Sequence, residues 1–203
     1  MMILTDLQLD ALAEVFNIGA GKAAASISEI VNDEVQLSVP SIEFKPSCLI
    51  NADALTLNAN KFGTVRQDFH GIFDATALLM FSENSALEIV REMMNSNLSL
   101  DELAEFEQDA MCEIGNIIIN ACLATMADML SMRLDCSLPS YSIISSNEIV
   151  TEITHNTVQE YTLLLNVIFT SVKRQTEGRL VLLLTSASIA NLIQRIDQFL
   201  AGI

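Results

Sequence analysis

The sequence predicts an α+β fold with a pseudo-twofold internal duplication, an antiparallel β-sheet and two long helices. Three observations predict it. The order helix, strand, hairpin, helix can be read twice along the 203 residues. A sparse set of polar residues recurs at a fixed offset of 99 positions. The stretches between the helices alternate apolar and polar residues, with the period of half-buried strands.

The first helix begins at Thr5, which forms a capping-box pattern with Gln8, and runs to about residue 31. The second long helix begins with the same pattern, Ser99 with Glu102, and runs to about residue 132. Each is followed by a Pro-Ser pair leading into an alternating run, Val39-Pro40-Ser41-Ile42-Glu43-Phe44 and Leu138-Pro139-Ser140-Tyr141-Ser142-Ile143. Both runs read as strands, with the proline near the start, where a ladder N–H can be spared. Residues 63–70 and 71–81 in the first half, and 157–172 and 178–185 in the second, read as hairpins, the second one longer. Helices over 83–95 and 187–200 close the halves. Residues 95–100 form a short turn, and no linker or low-complexity tract separates the halves. Residues 1–203 are therefore expected to form one domain, with repeats over about 5–97 and 99–203.

Composition narrows the function. The hydrophobic fraction of 51% provides a sizeable core, built on aliphatic residues and nine Phe without Trp. Ten Lys+Arg against 26 Asp+Glu give a net charge of −16. That field repels phosphate backbones and anionic membrane surfaces, and attracts a partner with a basic patch. The four cysteines form no CxxC and have mainly apolar or small neighbours, so they are expected to be free, mostly buried thiols of a cytoplasmic protein. The histidines, His70 and His155, are too scattered to suggest a metal site. No signal peptide and no run long enough to span a bilayer are read.

The recurring polar set is Asp10, Glu14, Asn17 and Pro40, then Asp109, Glu113, Asn116 and Pro139. Spacings of i, i+4 and i+7 place the acids and the amide on one face of a helix whose intervening residues are apolar or small. Asn is a middling-to-poor helix former and Gly115 a worse one, so stability alone does not account for these choices. From spacing alone, a twice-used functional face and a solvated face retained after duplication both remain open. Gly19-Ala20-Gly21-Lys22 lacks phosphate-loop spacing and is expected to allow close helix packing instead. Cys112, beside Glu113, reads as a core thiol, since no basic partner is spaced to activate it. Gly115 precedes Asn116 where Phe16 precedes Asn17, which predicts more room for a partner at the second copy.

These motifs, with Asn17-Ile18-Gly19-Ala20-Gly21-Lys22-Ala23-Ala24 and Glu113-Ile114-Gly115-Asn116-Ile117, strongly resemble the CheC/CheX/FliY family of chemotaxis phosphatases. The resemblance covers nearly the whole chain, and two copies of the motif look like CheC. It implies an antiparallel α+β fold with both motif helices exposed for docking. It implies hydrolysis of the aspartyl phosphate of CheY, with Glu14 and Glu113 pairing with the receiver's lysine and Asn17 and Asn116 orienting the attacking water. Asp10, Asp109, Pro40 and Pro139 would support the site. No cofactor of its own is implied, because Mg²⁺ sits on the CheY substrate. The resemblance also raises an adaptor role, binding the deamidase CheD. A structural module like the FliM middle domain is a third possibility, against which retention of both Glu/Asn pairs speaks.

Overall fold

The protein was analysed as a computed structural model that describes residues 4–31, 33–38, 40–46, 49–51, 60–93, 100–155, 161–172 and 177–202. The elements are α1 (Asp6–Val31), β1 (Val35–Leu37), β2 (Ser41–Pro46), β3 (Lys61–Gly71), β4 (Ala75–Ser82), α2 (Glu83–Met93), α3 (Leu100–Met129), β5 (Leu134–Cys136), β6 (Ser140–Ser145), α4 (Ser146–His155), β7 (Tyr161–Ser171), β8 (Glu177–Thr185) and α5 (Ser186–Ala201). The capping box at the first helix is reciprocal. Thr5 N donates to Gln8 Oε1 at 2.8 Å, and Gln8 N donates to Thr5 Oγ1 at 3.3 Å. Its expected counterpart at Ser99, the turn over 95–99 and Cys48 lie outside the described residues.

The eight strands among the described residues form one sheet, in the order β1-β7-β8-β4-β3-β5, with β2 also on β7 and β6 also on β3. Every pairing is antiparallel. The pairing pattern repeats between the halves. The short strands β1 and β2 of the first half add to β7 of the second, and β5 and β6 of the second add to β3 of the first. The two hairpins meet at the centre, where β4 pairs with β8.

Alternation sorts the strand side chains onto two covered faces. Ala77 and Leu79 of β4 and Leu180, Leu182 and Leu184 of β8 enter the main core beneath the long helices. Leu78, Met80 and Val181 point the other way, into a smaller cluster closed by Ile149 of α4. Burial on both faces explains why Leu180–Leu184 reads as a continuous apolar run rather than an alternating one. Helix α4 escaped the sequence reading because it is short and lies where a strand was expected to lead straight to the hairpin. The three-residue strands β1 and β5 were missed for the same reason of length.

Two expectations are corrected. The Glu105–Met129 stretch is long and apolar enough, by length and composition, to cross a bilayer, with mean hydropathy 1.5. Just over half of its window, 56%, is buried within this fold, where Met111, Ile118, Ile119 and Leu123 pack in the core. Among the described residues the thiols are free but not mostly buried: Cys122 is buried, Cys112 half-buried and Cys136 exposed at an edge strand.

Candidate functional site

Helices α1 and α3 each bury one side and expose the other. On α1, Leu12, Val15, Phe16 and Ala20 are inaccessible to solvent, whereas Asp10, Glu14 and Asn17 are exposed. On α3, Met111, Ile114 and Ile118 are buried, Asp109 and Glu113 are exposed, and Asn116 is half-buried. Both predicted acid-acid-amide rows therefore lie on the open face of their helix. Asp10, Glu14, Asn17, Asp109 and Glu113 make no side-chain hydrogen bond or ion pair to any other described residue. Two rows of unpaired carboxylates on a chain of net charge −16 favour a cationic group on a partner.

The glycines show how closely the helices are seated. A Cβ on Gly19 would lie 2.8 Å from the carbonyl oxygen of Cys122, so α1 and α3 touch backbone to backbone there. A Cβ on Gly115 would lie 2.4 Å from Cγ1 of Val65 on β3. Gly115 therefore seats α3 on the sheet and faces away from solvent. This overturns the expectation that it opens space for a partner beside Asn116. Phe16, at the matching position of α1, fills the core instead.

Two side-chain contacts pin α3 further. The Tyr141 hydroxyl on β6 donates to Glu107 Oε1, and Gly63 leaves the space that this phenol occupies. Burial raises the Tyr141 pKa, and the Glu107 carboxylate raises it further, so the phenol stays a donor. The Cys112 thiol donates to the carbonyl of Pro139 at 3.7 Å. Its pKa is raised, first by burial and then by the Asp109 carboxylate. That keeps it protonated and agrees with its reading as a structural thiol rather than a nucleophile. Pro139 thus bears on the motif helix through its carbonyl. Pro40 is buried immediately before β2.

Sequence reasoning missed Asn120. Its Nδ2 donates to Asn116 Oδ1 at 2.7 Å, and both residues are half-buried. The available signal was a departure from the repeat, because the position 99 residues earlier is Gly21. Among the described residues no group of three or more His, Cys, Asp or Glu could hold a metal ion.

Residues 7–43 match the CheC-like family, and residues 64–162 match the family described as chemotaxis phosphatase CheX. Together the two matches support the CheC/CheX/FliY family for this chain. It is similar to the CheY-P phosphatase CheC of Bacillus subtilis (strain 168), with 28% identity over 155 residues, which is 71% of this chain and 70% of that protein. Its fold resembles that of Thermotoga maritima FliY, with a TM-score of 0.75 at 15% identity, covering 98% of this chain and all of that one. It also resembles a CheX crystallised with CheY, BeF3 and Mg²⁺ from Borrelia burgdorferi, with a TM-score of 0.57 at 15% identity, covering 85% of this chain and 97% of that one.

Proposed function

We propose that this chain, as one domain in the cytoplasm, hydrolyses the aspartyl phosphate of CheY at two sites, one on α1 and one on α3. Glu14 and Glu113 dock against the receiver's lysine, and Asn17 and Asn116 orient the attacking water. Asp10 and Asp109 support the docking face, while Pro40 and Pro139 fix the entry into β2 and β6. The observation that carries this reading is the paired exposure of unbonded Glu side chains, each three residues before an Asn, on two helices held rigidly against one sheet.

The chemistry asks little else of the chain. An acyl phosphate is already activated, and the metal that neutralises it belongs to the receiver. What is missing is a water in line with the phosphorus. A neutral amide can hold that water by accepting one hydrogen bond and donating another. A carboxylate at the same place would repel the phosphoryl oxygens. No geometry among the described residues favours the adaptor reading, in which the chain binds CheD with weak catalysis or none.

The test is phosphate release from phosphorylated CheY. Asn17→Ala and Asn116→Ala together should abolish it while leaving circular dichroism unchanged, since truncation on an open helix face leaves no core cavity. A folded double variant that hydrolyses like the native chain ends the proposal.

A further inference from the structure

Asn116 and Asn120 lie one helical turn apart, the spacing at which amide side chains meet. The bond from Asn120 Nδ2 occupies one lone pair of Asn116 Oδ1. It restrains rotation of the Asn116 amide and turns its own N–H₂ to the side away from Asn120. The amide keeps one lone pair and two hydrogens free. On α1 the matching residue is Gly21, which has no side chain to offer, and Asn17 is exposed with no side-chain hydrogen bond to any described residue. An unrestrained amide presents its oxygen and its nitrogen to the same point in turn, and only one arrangement suits a given water.

We propose that Asn120 is a positioning residue that holds the Asn116 amide in one orientation for reaction at the α3 site, and that the α1 site works without such a residue. This rests on the phosphatase reading. It gives the two sites a built-in inequality, with the α3 site faster. The cause is an amide on the same helix rather than space beside Gly115, which packs on Val65.

The experiment isolates each site by silencing the other. In an Asn17→Ala background only the α3 site works. There, Asn120→Ala should lower kcat about fivefold with KM nearly unchanged, because docking through Glu113 persists while the amide is misaligned. Asn120→Leu keeps the branched shape and removes the donor, and should lose as much. Asn120→Gln keeps a donor and should restore part of the rate. In an Asn116→Ala background only the α1 site works. A Cβ on Gly21 meets nothing within 4 Å, so Gly21→Asn can be accommodated and should raise kcat about threefold.

Asn120→Leu with the kcat of its parent, or a loss confined to KM, overturns the positioning role. Should the Asn120 variants fail to fold, Gly21→Asn decides, and an unchanged kcat there overturns it equally. If Asn17→Ala alone is as inactive as the Asn17/Asn116 double variant, the two-site phosphatase reading fails and the positioning role falls with it. An active parent that ignores Asn120 sinks the positioning role alone.

Discussion

Glu14 and Glu113 are charged side chains with no hydrogen-bond or ion-pair partner among the described residues, so none of those offsets their charge. Reversing them should therefore cost binding rather than folding. Glu14→Lys with Glu113→Lys is expected to weaken binding to phosphorylated CheY about tenfold or more, since each new ammonium would face the receiver's lysine. Titration by calorimetry checks this, and unchanged affinity would move docking to another surface. These residues were legible in the sequence because they repeat at one offset on an otherwise apolar helix. Asn120 was not, because it occurs once and a search for what repeats passes over it. Tyr141 and Glu107 were not legible as a pair either, since their contact depends on how α3 lies across β6.

At the scale of elements, α1 carries two glycines, two residues apart, with opposite surroundings. Gly19 abuts the backbone of Cys122, whereas Gly21 faces open space. Intrinsic propensity favours alanine over glycine inside a helix by about 1 kcal/mol. Gly21→Ala should gain most of that amount. Gly19→Ala should instead lose about 1–3 kcal/mol, because two backbones must part to admit a methyl group. Urea unfolding of both variants tests this; a stabilised Gly19→Ala would mean that the helices are not in contact there.

The same seam has a pH signature. Burial raises the Cys122 thiol from 9.0 to about 12. The folded state then holds a proton that the unfolded chain releases, so the associated stability is present below about pH 9 and is lost as pH rises towards 12. The raised Tyr141 phenol acts in the same direction above pH 10, its ordinary value. Cys122→Ala should lessen the fall in unfolding midpoint from pH 9 upwards, leaving the part that Cys112 and Tyr141 contribute. An unaltered slope would place the titration elsewhere. The long helices and both hairpins were readable from periodicity, and the start of α1 from its cap. The short β1 and β5 and the helix α4 were not, because a few residues carry too little pattern.

At the scale of the molecule, the exchange of short strands makes each half incomplete. A chain of residues 1–97 would keep the β3–β4 hairpin and lose β7, the strand on which β1 and β2 pair. It is expected to be unfolded or to self-associate, and to fold when mixed with residues 98–203. Size exclusion and circular dichroism of the fragments and of their mixture measure this; a folded, monomeric 1–97 would make the halves separate domains. The single sheet was not readable in this form. The sequence shows which segments are strands, but pairing between residues as far apart as Val35 and Ser171 leaves no local pattern to read.

That exchange also sets a timetable for the nascent chain. Val35 pairs with Ser171 and Ser41 with Asn166, so β1 and β2 emerge long before their partner strand has been translated. At ribosomal rates of roughly 5–20 residues per second, they wait on the order of ten seconds without a ladder to join. Pairings between such distant residues also close slowly once both are present. The first helix can form while it waits, but its apolar side, Leu12, Val15 and Phe16, lacks much of the core it shares with α3 and the second hairpin until those segments arrive. The stage of this protein's life most exposed to aggregation is therefore its synthesis, and the segment most in need of a chaperone's protection is α1.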